Sequence, residues 1–90
     1  MAAFKKDPNA TLDYTFDWSL WLAPIADTIT SVTWVLSSGL TSVSASNTTT
    51  TATAFISGGV LDAVEELTCR ITTAGGRIDD RTIQLNIINR

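Results

Sequence analysis

The 90-residue sequence contains no histidine and only one cysteine. Without histidine, no Ser–His or Cys–His pair can activate a nucleophile, and no Cys/His cluster can hold zinc. A single cysteine cannot form an internal disulfide, which favours folding in a reducing compartment. Cys69 occupies an apolar position of its segment. We expect it to be a small buried hydrophobe, because a reactive thiol needs a nearby base.

Long apolar runs and an excess of basic residues are absent too. No segment approaches the roughly 20 apolar residues that span a bilayer. The charged start from Met1 to Pro8 has no apolar run behind it, so no signal peptide is expected. The net charge of −3 argues against a general nucleic-acid binder with a basic face. A hydrophobic fraction of 44% fits one packed domain.

Phosphate loops, calcium loops and catalytic carboxylate pairs are not found either. Gly58-Gly59 and Gly75-Gly76 are typical of turns rather than of a phosphate-binding loop. Asp79-Asp80 matches no calcium-loop spacing, and we expect Arg77 and Arg81 to pair with these carboxylates. We therefore predict no catalytic residue, no metal and no cofactor. A small domain of this kind is not an enzyme and acts through its surface.

The clearest structural signal is the last third of the chain, from Val64 to Ile88. Apolar and polar residues alternate there in two runs, with Gly75-Gly76 between them. Because side chains of a strand point alternately to its two faces, this pattern predicts a long β-hairpin with one face toward a core. The inward positions are Leu67, Cys69, Ile71, Ile83, Leu85 and Ile87.

Earlier residues alternate in the same way over shorter stretches bounded by turn residues. Strands are predicted over 11–18, 28–36, 40–45 and 49–56. In the last of these, either the face with Ala54 or the face with Phe55 could point inward. About six to seven short strands are typical of an all-β, immunoglobulin-like antiparallel β-sandwich. The expected core comprises Phe16, Trp18, Trp34, Leu67, Ile71 and Leu85.

Two segments do not fit the strand pattern. Residues 1–10 lack periodicity, so we predict an N-terminal arm over 1–10 and a β-sandwich domain over 11–90. A frayed tail is the alternative to an arm that a neighbouring subunit orders. Trp21 and Leu22 lie in a connection between strands. We expect them to fold back over the end of the sandwich, and the alternative is an exposed Trp21 at a partner contact.

Two motifs resemble those of a family of small proteins from tailed bacteriophages. The opening reads Lys-Asp-Pro-Asn-Ala-Thr-Leu-Asp-Tyr from Lys6 and Asp-Trp-Ser-Leu-Trp-Leu from Asp17. The hairpin reads Arg-Ile-Thr-Thr-Ala-Gly-Gly-Arg from Arg70, followed by Asp-Asp-Arg from Asp79. Together they resemble the phage fibre–tail adaptor family. The run from Val60 to Glu66 departs from the more polar, Gly- and Thr-rich run usual in that family. Shorter stretches that resemble the same family lie at 31–34 and 56–59.

The resemblance implies a non-enzymatic virion protein that is assembled in the bacterial host cytoplasm. Such a protein joins the tail or neck to fibres or other appendages through symmetric protein–protein contacts, as a homo-oligomer. Its partners would be other phage tail, neck and fibre proteins, and neither nucleic acid nor a membrane is expected. The alternatives are a capsid or head decoration protein and a carbohydrate- or receptor-binding adhesion module. The predicted interface residues are Phe4, Lys5, Lys6, Asp7, Pro8, Trp21, Leu22, Gly75, Gly76 and Arg77.

Overall fold

The computed structural model describes residues 2–89, which form seven β-strands and one short helix. One sheet has the strand order β1-β7-β6-β3, and the other has the order β2-β5-β4. The prediction of an all-β protein is therefore confirmed. No helix within residues 2–89 has the length and apolar character that crossing a membrane requires. The elements are β1 (Ala2–Lys6), β2 (Leu12–Asp17), α1 (Ser19–Leu22), a 3-10 turn (Ala23–Ile25), β3 (Ile29–Leu36), β4 (Leu40–Asn47), β5 (Thr51–Gly58), β6 (Val64–Thr73) and β7 (Ile78–Ile87).

The predicted β-hairpin is formed by β6 and β7, and each strand has 10 residues. Leu67 lies opposite Ile83, as the alternating pattern requires. Gly76 in the connecting turn has φ of +86°, a backbone conformation that glycine adopts without a steric penalty. The predicted inward face of the hairpin is confirmed by its buried residues, which are Leu67, Cys69, Ile71, Ile83, Leu85 and Ile87.

The core lies between the two sheets, and β5 contributes its small residues to it. Ala52 and Ala54 are fully buried, whereas Phe55 is 43% exposed, so the alanine face points inward. Across the core, the rings of Phe16 on β2 and Trp34 on β3 lie 5.7 Å apart. Trp34 packs against the core but is only partly buried. The other five predicted core residues are buried.

Strand β3 contains an irregularity that strict alternation does not predict. Its register against β6 shifts between Ile29 and Ser31. A β-bulge of this kind inserts one residue and so changes which side chains face the core. As a result, Ile29 is buried and Val32 also packs against the core, although they are three residues apart and would point to opposite faces of a regular strand.

Half of the segment that was predicted as an arm, Ala2–Lys6, is a strand. β1 pairs in parallel with β7, and Phe4 lies opposite Leu85. β1 is thus the edge of the four-stranded sheet. The division at residue 10 between arm and domain stays a prediction. Met1, the first residue of the predicted arm, and Arg90, the last residue of the predicted domain, lie outside the described residues.

The connections between strands gather at two opposite ends of the sandwich. At the first end, which we call the hairpin end, Ala74 N–H donates to the Thr28 carbonyl at 2.9 Å. At the second, the Lys6 end, Gly59 N–H donates to the Gly39 carbonyl at 2.8 Å. The hairpin end comprises 18–28, 48–50 and 74–77, and the Lys6 end comprises 7–11, 37–39 and 59–63.

Candidate interaction surface

At the hairpin end, Asp27 joins the connection after β2 to the β6–β7 turn. Its carboxylate accepts hydrogen bonds from Gly75 N–H and from Arg77 Nη1, each at 3.0 Å. It also accepts one from Thr28 N–H at 2.9 Å. Two segments that the sequence proposed as separate contact elements are therefore fixed against each other.

These donors keep Asp27 ionised. A hydrogen bond from Thr73, followed by smaller contributions from Thr28, Gly75 and Arg77, lowers the pKa of Asp27 to about 2. The Asp27 side chain is almost fully covered. Its negative charge is thus balanced by fixed donors, which makes the hairpin end a preorganised surface.

The arginines of the hairpin have other partners than predicted. Arg70 donates to both carboxylate oxygens of Asp80 at 2.8 and 2.9 Å. Arg81 lies 4.1 Å from the centroid of the Trp18 ring and donates to the Asp17 carbonyl at 2.7 Å.

The predicted pairing of Arg77 and Arg81 with Asp79-Asp80 is therefore wrong. It assumed contacts between residues close in sequence, whereas cross-strand register places Arg70 directly opposite Asp80. Arg77 binds Asp27 instead.

Helix α1 folds back over the end of the sandwich. This agrees with the first of the two alternatives given for Trp21 and Leu22. Leu22 is 1% exposed, so its side chain belongs to the core and cannot contact a partner. Trp21 is half-buried and packs edge-on against Trp18, with ring centroids 5.7 Å apart. Leu20 on the same helix is 89% exposed. Leu20 is thus the side chain that this connection offers to a partner.

At the opposite end, the ammonium group of Lys6 joins the two sheets. Its Nζ donates to the backbone carbonyls of Asp7 at 3.0 Å, Ala10 at 2.6 Å and Gly58 at 2.7 Å. Lys6 belongs to β1 in one sheet, whereas Gly58 ends β5 in the other. The Lys6 side chain is fully buried. A predicted contact residue is thus a structural clamp between the sheets.

The turn after β1 supplies two of the carbonyls that bind Lys6. Ala10 N–H donates to the Asp7 carbonyl at 3.0 Å, and Asn9 N–H donates to Asp7 Oδ1 at 2.8 Å. Asp followed by Pro8 is the favoured start of such a turn. Burial lowers the pKa of Lys6, and the charge of Asp7 opposes that effect. The fixed carbonyls replace the water that the ammonium loses.

Exposed apolar side chains occur at both ends of the molecule. A protein surface normally carries scattered apolar residues, but several at one site suggest a contact surface. Those of the hairpin end are Leu20, Ile25 and Ile78, and those of the Lys6 end are Val60, Leu61 and Val64.

Between the edges of β1 and β2 lies a groove of about 380 Å³. The rings of Phe4 and Tyr14 line it with centroids 5.8 Å apart. The hydroxyl of Tyr14 is buried and has no hydrogen-bond partner among the described residues. Burial raises the pKa of Tyr14, and the nearby charge of Asp13 raises it further. The remaining lining residues are Asp13, Thr15, Phe16, Asp17, Arg81 and Ile83.

Within residues 2–89, no group of three or more His, Cys, Asp or Glu side chains could hold a metal ion. Cys69 is fully buried, and burial raises the pKa of its thiol to about 11. At neutral pH this thiol is protonated and is not a nucleophile.

The predicted contact segments stay a prediction, and the structure places side chains in or beside them that the sequence did not single out. Nothing in the sequence indicated that Asp27 belongs to this surface, because only the fold brings the β6–β7 turn to its carboxylate. Leu20 was missed since a helix of one turn shows no periodicity. Lys5, another predicted contact residue, lies exposed on β1 next to the buried Lys6.

Comparison with known proteins bears directly on the role of these surfaces. A family model described as podophage GP4 fiber-tail adaptor protein gp77 matches residues 6–86. The chain belongs to this family. The resemblance carried by the Lys-Asp-Pro and Gly-Gly-Arg motifs is thereby confirmed. No curated protein matches the chain.

The part shared with the adaptor family includes both ends of the molecule. It begins at Lys6, the residue that joins the two sheets, and continues through helix α1 and the β6–β7 turn to Asn86. Most of β1, including Phe4, precedes the matched range. The hairpin end and the Lys6 end are therefore both elements of the family fold.

Proposed function

We propose that this protein is a non-enzymatic virion component that joins the phage tail or neck to fibres or other appendages. The family description, a fiber-tail adaptor, supports this role. The observation that carries the proposal is that each of the two opposite ends presents several exposed apolar side chains, on a body with a longest dimension of 42 Å. Two partners can bind such ends without competing for one surface.

The hairpin end provides the first contact surface. Leu20 projects from α1, and the exposed turn Gly75–Arg77 lies beside it, tied to the same connection by Asp27. Trp21 supports this surface from behind through its contact with Trp18. A surface that is already ordered loses little conformational entropy on binding, which favours a tight contact.

The Lys6 end provides the second contact surface. The loop with Val60 and Leu61 is exposed there, close to the rigid turn of Asp7 and Pro8. Lys6 contributes indirectly, since its ammonium fixes this turn to the end of β5. Phe4 in the groove beside it adds an exposed aromatic group of the kind enriched at interfaces.

The strand order supports an immunoglobulin-like type of sandwich. In constant-type immunoglobulin domains, the second, fifth and fourth strands form one sheet, and the third, sixth and seventh form the other. The orders β2-β5-β4 and β7-β6-β3 correspond to this arrangement. The first strand differs, because β1 pairs in parallel with β7 rather than with β2.

In the virion, the adaptor works as part of a homo-oligomer, assembled in the host cytoplasm through symmetric contacts with tail, neck and fibre proteins. Symmetric assemblies repeat one contact many times, so a small interface on each chain suffices for a stable attachment.

Charge substitutions at the two ends test the proposal. Leu20→Asp alters the hairpin end, and Leu61→Asp alters the Lys6 end, in both cases at exposed positions that the fold tolerates. Val35→Asp is the matched control, since Val35 is also exposed but lies on β3 between the ends. Binding of the tail protein and of the fibre protein from the same phage is measured separately by calorimetry.

Each end variant is expected to lose one partner and to keep the other, and Val35→Asp is expected to keep both. Unchanged binding in both end variants would overturn the proposal. So would the loss of both partners in a single folded variant. Binding of glycans by a chain that ignores tail and fibre proteins would instead favour an adhesion module.

A further inference from the structure

One side of the molecule is without charge. From Thr28 to Leu61 the chain has no Asp, Glu, Lys or Arg. This segment forms β3, β4 and β5. Among the described residues, β3 pairs only with β6 and β4 only with β5, so both strands are open edges. The charged residues of the described chain all lie outside this segment.

Strand β4 lacks most of the features that protect exposed sheet edges. Such edges usually carry a lysine, a proline, an inward-pointing charge or a β-bulge, or they are very short. β4 has 8 residues without charge or proline, and all but Leu40 are exposed. A register shift between Ser42 and Ser44 is its only irregularity against β5, and residues 44–47 continue in regular register.

The hydrogen bonds within the sheet show which backbone groups of β4 are free for a partner. Thr48 N–H donates to the Thr51 carbonyl at 2.9 Å. Because hydrogen-bonded pairs alternate along an antiparallel ladder, the N–H groups of Ser46 and Ser44 also point to β5. Those of Ala45 and Asn47 then point away from the sheet, toward the open side.

We infer that β4 pairs with β4 of a second copy of this chain. The two copies are related by a two-fold axis, and their three-stranded sheets join into a continuous antiparallel sheet of six strands. This inference deepens the proposed function and rests on its homo-oligomer, because it names the contact between copies. Strand edges lie along the side of the sandwich, so both ends stay free for tail and fibre partners.

The charge distribution favours pairing of β4 with the same edge of a second copy over a head-to-tail contact between β4 and β2. At the other edge of this sheet, β2 carries Asp13 and Asp17 on its exposed face. Pairing β4 with that edge would cover these carboxylates with Ser and Thr side chains and no cation, which is unfavourable. Pairing β4 with itself sets uncharged residues opposite each other, so no like charges repel.

Proline substitution tests this contact without disturbing the sheet. Ala45→Pro removes an N–H that points away from β5, so the β4–β5 ladder is kept. The matched control is Thr15→Pro. Trp18 N–H donates to the Thr50 carbonyl at 2.8 Å, so the N–H of Thr15 points to the open side of β2 by the same alternation. Ser44→Lys adds a charge to the edge and leaves the backbone unaltered.

The full chain and its variants are compared by sedimentation equilibrium, with circular dichroism to verify the fold. We expect a dimer for the wild type and for Thr15→Pro. In Ala45→Pro the dissociation constant should rise by about 30-fold or more, since each copy loses one backbone N–H donor at the contact. In Ser44→Lys it should also rise, and added salt should partly reverse the effect.

A wild type that stays monomeric at millimolar concentration overturns the inference. A dimer that persists in folded Ala45→Pro and Ser44→Lys also overturns it. Tail and fibre binding by the same variants separates this result from the proposed function. A monomeric Ala45→Pro that binds both partners supports both proposals, whereas a β4-dependent dimer that binds neither partner supports only the contact between copies.

Discussion

Replacement of Lys6 by methionine removes the clamp between the two sheets and keeps a side chain of similar size. In the wild type, the ammonium satisfies the carbonyls of Asp7, Ala10 and Gly58. In Lys6→Met these carbonyls lose that donor in a site from which the side chain excludes water. β1 and the following turn then lose their attachment to the end of β5.

The magnitude follows from the number of hydrogen bonds. Each contributes about 1 kcal/mol net, and hydrogen bonds from a charged group contribute more. Relief from the desolvation of the buried ammonium offsets part of the loss. We expect Lys6→Met to lower the free energy of unfolding by about 2–3 kcal/mol. For a domain of this size, this corresponds to a decrease in Tm of about 10–20 °C.

The control is Lys5→Met, the same substitution at the exposed neighbouring residue of β1. A change of less than about 0.5 kcal/mol is expected there. Thermal unfolding followed by circular dichroism gives both values, and hydrogen exchange of the β1 amides reports whether the strand is released. Equal Tm values for the Lys5 and Lys6 variants would refute the clamp.

Three further predictions concern other parts of the fold. The pKa of Asp27 is about 2, below its ordinary value of 3.8, so its stabilising effect is present above pH 4 and lost as the pH falls toward 2. The decrease in Tm between pH 4 and pH 2 should be shallower in Asp27→Asn than in the wild type, with Asp13→Asn as the control. Gly58→Ala should lower the unfolding free energy in urea titrations by about 2–4 kcal/mol, since φ is +83° and the new Cβ would lie 2.7 Å from the Gly39 carbonyl oxygen. Cys69 should resist a thiol reagent at pH 8 in the native protein and react fully in denaturant, and rapid native labelling would contradict its burial.

Alternation alone was sufficient to predict the hairpin and most of the core. Leu67, Cys69 and Ile71 repeat every second residue, and burial of one face of a sheet requires that period. The inward face of β5 could not be decided from the sequence, because Ala54 and Phe55 are both apolar. In the fold the smaller side chain lies inside, since Ala54 is fully buried and Phe55 is exposed.

The features that could not be predicted depend on long-range contacts. A lysine is normally exposed, so nothing in the sequence indicated that Lys6 is buried against carbonyls supplied by its own turn and by β5. Likewise, the partner of Arg77 is Asp27, which becomes a neighbour only when the chain folds. The predicted contact segments stay a prediction, and the exposed leucine of α1 is Leu20 rather than Leu22.

We propose that the two ends of this adaptor hold different partners at the same time. Native mass spectrometry of the full chain, mixed with the tail protein and the fibre protein of the same phage, tests this directly. We expect a complex that contains all three proteins, with tail and fibre proteins remaining apart when the adaptor is omitted. Complexes with only one partner at a time, in which each partner displaces the other, would contradict it.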